Sequence, residues 1–371
     1  MKIYLKNNVY DEALERIRWL FDEFPNVVVG YSGGKDSTVV YNLSLIIAKE
    51  KNRLPLKVMF LDQEAEWQAT IDQVTLVMEN PDVEPMWMQI PIKLFNATST
   101  TDTWLQCWNP KEKDKWMHSQ VDYSYKENKY GTDRFADVFE KILAVEFPDT
   151  KTCYIAGVRT EESPTRFIAL THQETYKGQT YGKKLNVKLD HYTFYPIYDW
   201  SYTDIWASIH KNKWEYNKIY DAQYSYGMTV NNMRVSNVHH ETAVHSLFYM
   251  QEVEPETYVK LTQRIGGIDS AGKAGKDDYF VKTLPYMFAS WKEYRDYLLE
   301  KLIINEKWKE IFVKKFKQME KLYETDIGDK LHKACIQSIL TNDWELIKLK
   351  NFERAPQNYV IKRKALGKEV Y

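Results

Sequence analysis

The 371 residues are enough for two domains or one large one, and 44% hydrophobic with 28% charged residues is the balance of an ordinary soluble globular protein. A net charge of −1 excludes a global basic field for nucleic acid, and three scattered cysteines with no Cys-x-x-Cys weigh against zinc or iron–sulfur ligation by this chain and fit a reducing, cytoplasmic setting. No apolar run reaches the length of a membrane span and Met1-Lys2-Ile3-Tyr4 lacks a signal-peptide core, so neither a membrane nor secretion is expected.

In chain order, Ala13, Ile17, Leu20, Phe21 and Phe24 recur at helical spacing, and Pro25-Asn26 ends that helix. Val27-Val28-Val29 reads as a short buried strand, followed by a glycine turn and a helix starting at Ser37. A strand feeding a glycine turn into a helix N-terminus makes an anion site, because unpaired N–H groups and the positive end of the helix dipole point at the ligand. Gly33 and Gly34 admit phosphate oxygens to the backbone, and Lys35 adds a point charge. The plain alternative is a glycine turn capped by Ser37. The spacing is neither a Walker A loop nor Gly-x-Gly-x-x-Gly, since Asp36 follows Gly34-Lys35. Residues 57–62 read as a second buried strand ending on Asp62, before a helix over 65–80, and residues 86–90 as a third strand. This alternation predicts an α/β fold, a doubly wound and mostly parallel sheet with ligands at the carboxyl ends of its strands. Asp62 shares such an end with the loop, where a carboxylate can accept ribose hydroxyls or hold magnesium through water; capping the next helix is its other reading.

The rhythm breaks over residues 96–135. Thr98 to Asp102 reads as a polar loop. Trp104, Trp108 and Trp116 interleave with Lys111, Lys113, Lys115 and His118, a mixture that can stack bases, but alternating Glu112 and Asp114 favour a solvated face. A helix over 135–147 follows. From Cys153 a strand leads to Gly157 and a polar stretch in which Ser163-Pro164 has the signature of a helix start. A second helix N-terminus is thus expected at the cleft, flanked by Arg159 and Arg166, each able to grip a phosphate or sulfate bidentately. Glu162 is placed to orient an arginine, a purely structural Arg–Glu pair being the alternative.

Ser32-Gly33-Gly34-Lys35-Asp36-Ser37 resembles the PP-loop of the ATP pyrophosphatase superfamily, in which the loop holds the terminal pyrophosphate so that attack falls at the α-phosphate. Gly-x-Arg-x-x-Glu-Ser-x-x-Arg, here residues 157–166, resembles the arginine motif of the phosphoadenosine phosphosulfate (PAPS) reductase family within that superfamily. The order of loop, Asp62 and arginine motif also matches, and Tyr195-Pro196-Ile197, Asp204-Ile205-Trp206 and Tyr216-Asn217-Lys218-Ile219-Tyr220 resemble later family segments. The resemblance implies a Rossmann-like domain over 1–235 that binds ATP or a PAPS-like adenine nucleotide, with Mg2+ carried on the phosphates. It implies nucleotide contacts from Ser32, Gly33, Gly34, Lys35, Asp36, Ser37, Asp62, Gly157, Glu162 and Ser163, with Lys35, Arg159 and Arg166 acting in catalysis. Reductases of the family carry a C-terminal Glu-Cys-Gly-x-His segment whose thiolate attacks the sulfonucleotide; that segment and the paired cysteines of cluster-bearing members are missing, so no iron–sulfur cluster is expected. Cys153 begins a strand, Cys335 reads as helix packing, and Cys107 is the cysteine with loop freedom.

Residues 231–241 are polar enough to line the pocket. His240, Glu241 and His245 lack metal-site spacing and read as capping and surface groups, while the glycines and lysines of 266–277 read as a flexible linker. Between Lys348 and Lys368 seven Lys/Arg face one acidic residue, Glu353: a solvated basic end, or a contact for nucleic acid or a protein partner. Residues 236–371 are expected to form an α-rich C-terminal region, and this layout resembles the PAPS reductase-like proteins of bacteria and phages that carry a long C-terminal extension. The expected function is an enzyme that splits ATP between its α and β phosphates to adenylate an acceptor. PAPS reductase or sulfotransferase-type activity is the alternative enzyme, and a nucleotide-binding regulatory protein that contacts DNA or a partner is the alternative class. Homo-oligomerisation is compatible with each.

Overall fold

The computed structural model describes residues 6–171, 174–230, 233–235, 238–239, 246–273, 282–322, 328–346 and 348–350. They fall into two compact units, Met1–Leu94 with Gln106–Ser236, and Phe95–Leu105 with Asn237–Tyr371. In the first unit, the Asn8 side chain accepts from the Tyr10 and Asp11 amides and so starts helix α1 (Val9–Glu23), whose Ala13, Ile17, Leu20 and Phe21 are buried. Strand β1 (Asn26–Gly30) is buried throughout, as its unbroken apolar run requires of a strand covered on both faces. Then come α2 (Lys35–Glu50), β2 (Leu56–Leu61), α3 (Gln68–Met78) and β3 (Val83–Met88). The third strand therefore lies three residues earlier than its sequence reading at its start and ends two earlier, and α2 begins at Lys35 rather than Ser37. After β4 (Ile92–Phe95) and β5 (Trp104–Cys107), which pair with each other, come α4 (Phe135–Glu146), β6 (Thr152–Ile155), α5 (Pro164–Thr171), β7 (Gly182–Asn186), β8 (His191–Phe194), α6 (Tyr202–Asn212) and α7 (Ile219–Ser225).

The main sheet has the order β3-β2-β1-β6-β8-β7, parallel except for the antiparallel edge strand β7. The chain winds outward from β1 through β2 and β3, then returns to the other side of β1 as β6. The switch in direction falls between β1 and β6, whose carboxyl-end loops are the glycine turn and the arginine motif. Topology thus joins two motifs more than a hundred residues apart in sequence.

Helices dominate the described part of the second unit: α8 (Leu247–Val253), α9 (Pro255–Arg264), α10 (Ile268–Lys273), α11 (Trp291–Lys301), α12 (Glu306–Leu322) and α13 (Gly328–Leu340). A core around Leu299, Phe312, Phe316, Met319, Cys335 and Trp344 holds the last three. Thr98 to Asp102 is a polar loop, as read, with Thr101 and Asp102 exposed, but Thr98 and Ser99 are buried and their segment is bound into this unit. Trp344 Nε1 donates to the Asn96 carbonyl at 3.0 Å and Asn342 Nδ2 to the Ala97 carbonyl at 2.9 Å. The glycine stretch also differs from a linker. Gly267, at φ +89°, packs so closely on Thr98 that a Cβ would lie 2.1 Å from its carbonyl oxygen, and α10 follows directly. His240, Glu241, His245, residues 274–277 and the basic stretch from 351 lie outside the described residues. No described helix is long and apolar enough to cross a membrane.

Candidate active site

The loop between β1 and α2 is held open by its own side chains. Ser37 Oγ accepts from the Ser32 amide at 3.2 Å, lies 3.1 Å from Ser32 Oγ, and donates to the Gly34 carbonyl at 2.9 Å. Ser37 therefore ties the turn from inside the first helical turn, and the backbone cap of α2 is Gly34. Gly33 has φ +69°, which favours glycine, and a Cβ there would also meet Thr70 Cγ2 at 2.8 Å. Asn217 Nδ2 reaches across to donate to the Gly33 carbonyl at 3.1 Å and to Thr70 Oγ1 at 2.9 Å. With the Gly33 carbonyl so fixed, the amides of Gly33, Gly34 and Asp36 make no hydrogen bond among the described residues. Lys35 Nζ adds charge beside them, 3.0 Å from Asp36 Oδ2. The arrangement is a nest of amides at the positive end of a sixteen-residue helix, suited to a phosphate or pyrophosphate group.

The arginine motif packs directly on this loop. A Cβ on Gly157 would lie 2.8 to 3.0 Å from Asp36 C and O and Ser37 N, so only glycine lets the two backbones meet this closely. Arg159 differs from the ligand-gripping role expected of it. Its side chain is 6% exposed, with Nε donating to Asp36 Oδ1 at 2.5 Å and Nη1 to Glu161 Oε2 at 2.9 Å. It braces the first turn of α2 through Asp36, whose other oxygen meets Lys35. Glu162 orients the second arginine: Oε1 accepts the Arg159 amide at 3.0 Å and Oε2 pairs with Arg166. Ser163 Oγ accepts the Arg166 amide at 3.2 Å, as the helix-start signature predicts. Arg166 is 44% exposed and open to a ligand. Burial, chiefly, lowers the Arg166 pKa, and the charges of Arg159 and Arg234 act in the same direction against the opposing charge of Asp36, so Arg234 shares its electrostatic field. Sequence reasoning missed Asn217 and Tyr220 beside the loop; both lie in the Tyr-Asn-x-x-Tyr segment, which was the available signal, whereas Arg234 falls in the polar stretch 231–241 expected to line the pocket.

Asp62 lies at the carboxyl end of β2, as expected, but its carboxylate is sealed from ligands. It is fully buried, accepts from Trp87 Nε1 at 2.8 Å, Gln89 Nε2 at 3.0 Å and the Glu64 amide at 2.9 Å, and lies 3.4 Å from His118 Nε2. Nor does it cap α3, whose N-cap is Trp67. Burial is the largest influence on the His118 pKa and pulls it down, but the Asp62 charge and hydrogen bond, the Ser119 carbonyl and the Glu64 charge together outweigh it, and the net shift is upward. Trp108 is buried in this cluster, its Nε1 donating to the Asp62 carbonyl at 2.8 Å, while the lysines 111, 113 and 115 stay exposed. Cys107 has no loop freedom: it is fully buried on β5, its Sγ 3.1 Å from the Gln63 carbonyl. Burial raises the Cys153 thiol well above its ordinary range and pushes Cys335 up to about 12.

A mostly parallel sheet with its switch point at a glycine-rich loop is the Rossmann-like fold of a PP-loop domain. Residues 26–272 match the phosphoadenosine phosphosulfate reductase domain, and the chain belongs to that family. Residues 227–370 match a domain of unknown function, DUF3440. The chain is 26% identical over 318 residues to the uncharacterized protein YbdN of Escherichia coli (strain K12), covering 81% of this chain and 77% of that protein. It is 24% identical over 219 residues to the adenosine 5'-phosphosulfate reductase of Lysinibacillus sphaericus (strain C3-41), covering 59% and 78%. Among solved structures it is similar to Candida glabrata FMN adenylyltransferase in complex with FMN and an ATP analogue, with 15% identity, a TM-score of 0.38, and 63% and 70% of the two chains covered. The PAPS reductase of Candida auris gives 16% identity and a TM-score of 0.32 over 60% and 94%.

Proposed function

We propose that this chain is an adenylyl-transferring enzyme that binds ATP or a related adenine nucleotide, with the pyrophosphate end in the loop from Ser32 to Ser37. The observation that carries the reading is the set of Gly33, Gly34 and Asp36 amides at the N-terminus of α2, unpaired among the described residues, beside Lys35. An acceptor nucleophile attacks the α-phosphorus. Its new bond to phosphorus forms as the P–O bond to the β-phosphate breaks, and the electron pair and charge leave with pyrophosphate. Amides and Lys35 aimed at that leaving group stabilise the charge where it develops. Asp36 is engaged by Lys35 and Arg159, so the loop offers no free carboxylate and a magnesium ion is best carried on the nucleotide's own phosphates. Arg166, exposed and oriented by Glu162, is the group suited to an anionic part of the acceptor or nucleotide, with Arg234 in the same field. Adenylyl transfer is preferred to thiol-dependent reduction because Cys107, Cys153 and Cys335 are all buried.

The test is incubation with α-labelled ATP and acceptors of several classes: alcohols, carboxylates, amines and thiols. A labelled adenylyl product with one pyrophosphate per turnover is expected, and Gly34→Asp, which puts a carboxylate into the anion nest, should abolish it. Turnover retained in Gly34→Asp would overturn the loop's role. Sulfite released from PAPS with a thiol reductant, without pyrophosphate, would replace the reading with reductase chemistry.

A further inference from the structure

Among the buried titratable side chains around the loop, Tyr220 has a contact that the reaction as described does not use. Its hydroxyl oxygen accepts the Lys35 amide at 3.2 Å and would lie 3.4 Å from a Cβ on Gly34. The hydroxyl thus stands within the amide nest itself and occupies one of its donors. The ring is 4% exposed and cannot easily turn away: Trp206 packs against it edge-on with centroids 5.4 Å apart, and Lys35 Nζ lies 5.5 Å from its centroid. In the bond to Lys35 the amide is the donor, so the phenol acts as acceptor. Its own hydrogen has no acceptor among the described residues. Burial pushes this phenol well above its ordinary range, so it keeps that hydrogen at neutral pH.

We propose that Tyr220 is a ligand-binding residue of the loop, donating its phenolic hydrogen to an oxygen of the phosphate or pyrophosphate group held by Gly33, Gly34 and Lys35. The proposal rests on the reading of the loop as a pyrophosphate site. A hydroxyl that accepts from an amide is polarised as a donor, so the Lys35 amide acts on the ligand through Tyr220 instead of touching it. The donor set of amides, one ammonium and one neutral phenol is that of a tetrahedral oxyanion site, in which the phenol adds a hydrogen bond without adding charge.

Titration calorimetry with inorganic pyrophosphate tests this on the full chain, comparing wild type, Tyr220→Phe, and a protein with 3-fluorotyrosine incorporated at position 220. Tyr220→Phe keeps the ring against Trp206 and should bind pyrophosphate about ten- to a hundredfold more weakly, the range of one hydrogen bond to a charged group. The more acidic fluorophenol should bind at least as tightly as wild type, a recovery that a packing role alone would not produce. Pyrophosphate bound by Tyr220→Phe as tightly as by wild type, or more tightly because the Lys35 amide is released, would overturn the role of Tyr220 while leaving the loop reading intact. Failure of the fluorotyrosine protein to exceed Tyr220→Phe would do the same. Wild type that binds neither pyrophosphate nor ATP would overturn the loop reading and this proposal with it.

Discussion

His118 and Asp62 sit 3.4 Å apart, with Asp62 fully buried and His118 13% exposed, so screening by solvent is weak. Burial alone would lower the histidine, and the Asp62 carboxylate, with the Ser119 carbonyl and the Glu64 charge, reverses the sign. A histidine whose folded pKa is raised stabilises the fold in full below its unfolded value, near 6.5, and that contribution is lost as pH rises through the raised folded value. Glu66, raised well above its ordinary range by burial and by the Asp62 charge, loses stability in the same direction. The difference between wild type and His118→Gln therefore isolates the pair. The gap between their melting temperatures should be widest below pH 6.5 and narrow as pH rises. A gap that stayed constant or grew with pH would show that His118 is neutral in the folded protein. Asp62 also shows what a motif position hides. Its place at a strand end was legible, because a buried β-branched and apolar run ending on a carboxylate has few other readings. Its use was not, since Trp87, Gln89 and the Glu64 amide reach it through the fold rather than through local spacing.

At the scale of elements, the contact between the Gly157 turn and the first turn of α2 decides whether the two motifs form one site. The atoms facing Gly157 are backbone, which cannot rotate aside as a side chain can. Gly157→Ala should therefore shift the start of α2, lower stability by about 1–3 kcal/mol as overpacking does, and weaken nucleotide binding tenfold or more. Gly131→Ala serves as the control. Gly131 has φ +72° and nothing within 4 Å of a Cβ, so it carries backbone strain without steric overlap and should leave binding unchanged. Equal effects of the two substitutions on nucleotide affinity would remove the case that the motifs interlock. The glycines and the helix start at Ser163-Pro164 were readable because turn and cap chemistry is local. The direction of Arg159 was not, because arginine at such a start serves a ligand or a carboxylate equally well, and Asp36 lies 123 residues away.

Across the whole molecule, the sheet unit was legible in outline since its strands and helices each carry their own period, whereas the second unit borrows Phe95–Leu105 from the middle of the first. That exchange leaves no local mark: the bond from Trp344 to Asn96 joins residues 248 positions apart. The three cysteines are distributed over both units, and each is fully buried: Cys107 on β5 and Cys153 on β6 in the first, Cys335 on α13 in the second. A thiol acts as a nucleophile only as an accessible thiolate, and Cys153 and Cys335 are both pushed away from that state by burial. Serine at 107 can keep the donation to the Gln63 carbonyl, and serine at 335 changes a position remote in sequence from the loop. Cys107→Ser and Cys335→Ser should therefore leave nucleotide binding and nucleotide-dependent turnover within about threefold of wild type, under about 1 kcal/mol. In the same assay Lys35→Ala should lower both by tenfold or more, as the loss of a charge-assisted phosphate contact implies. Loss of activity in either cysteine variant, with the melting temperature and circular dichroism spectrum unchanged, would place a thiol in the reaction and return the chain to reductase chemistry.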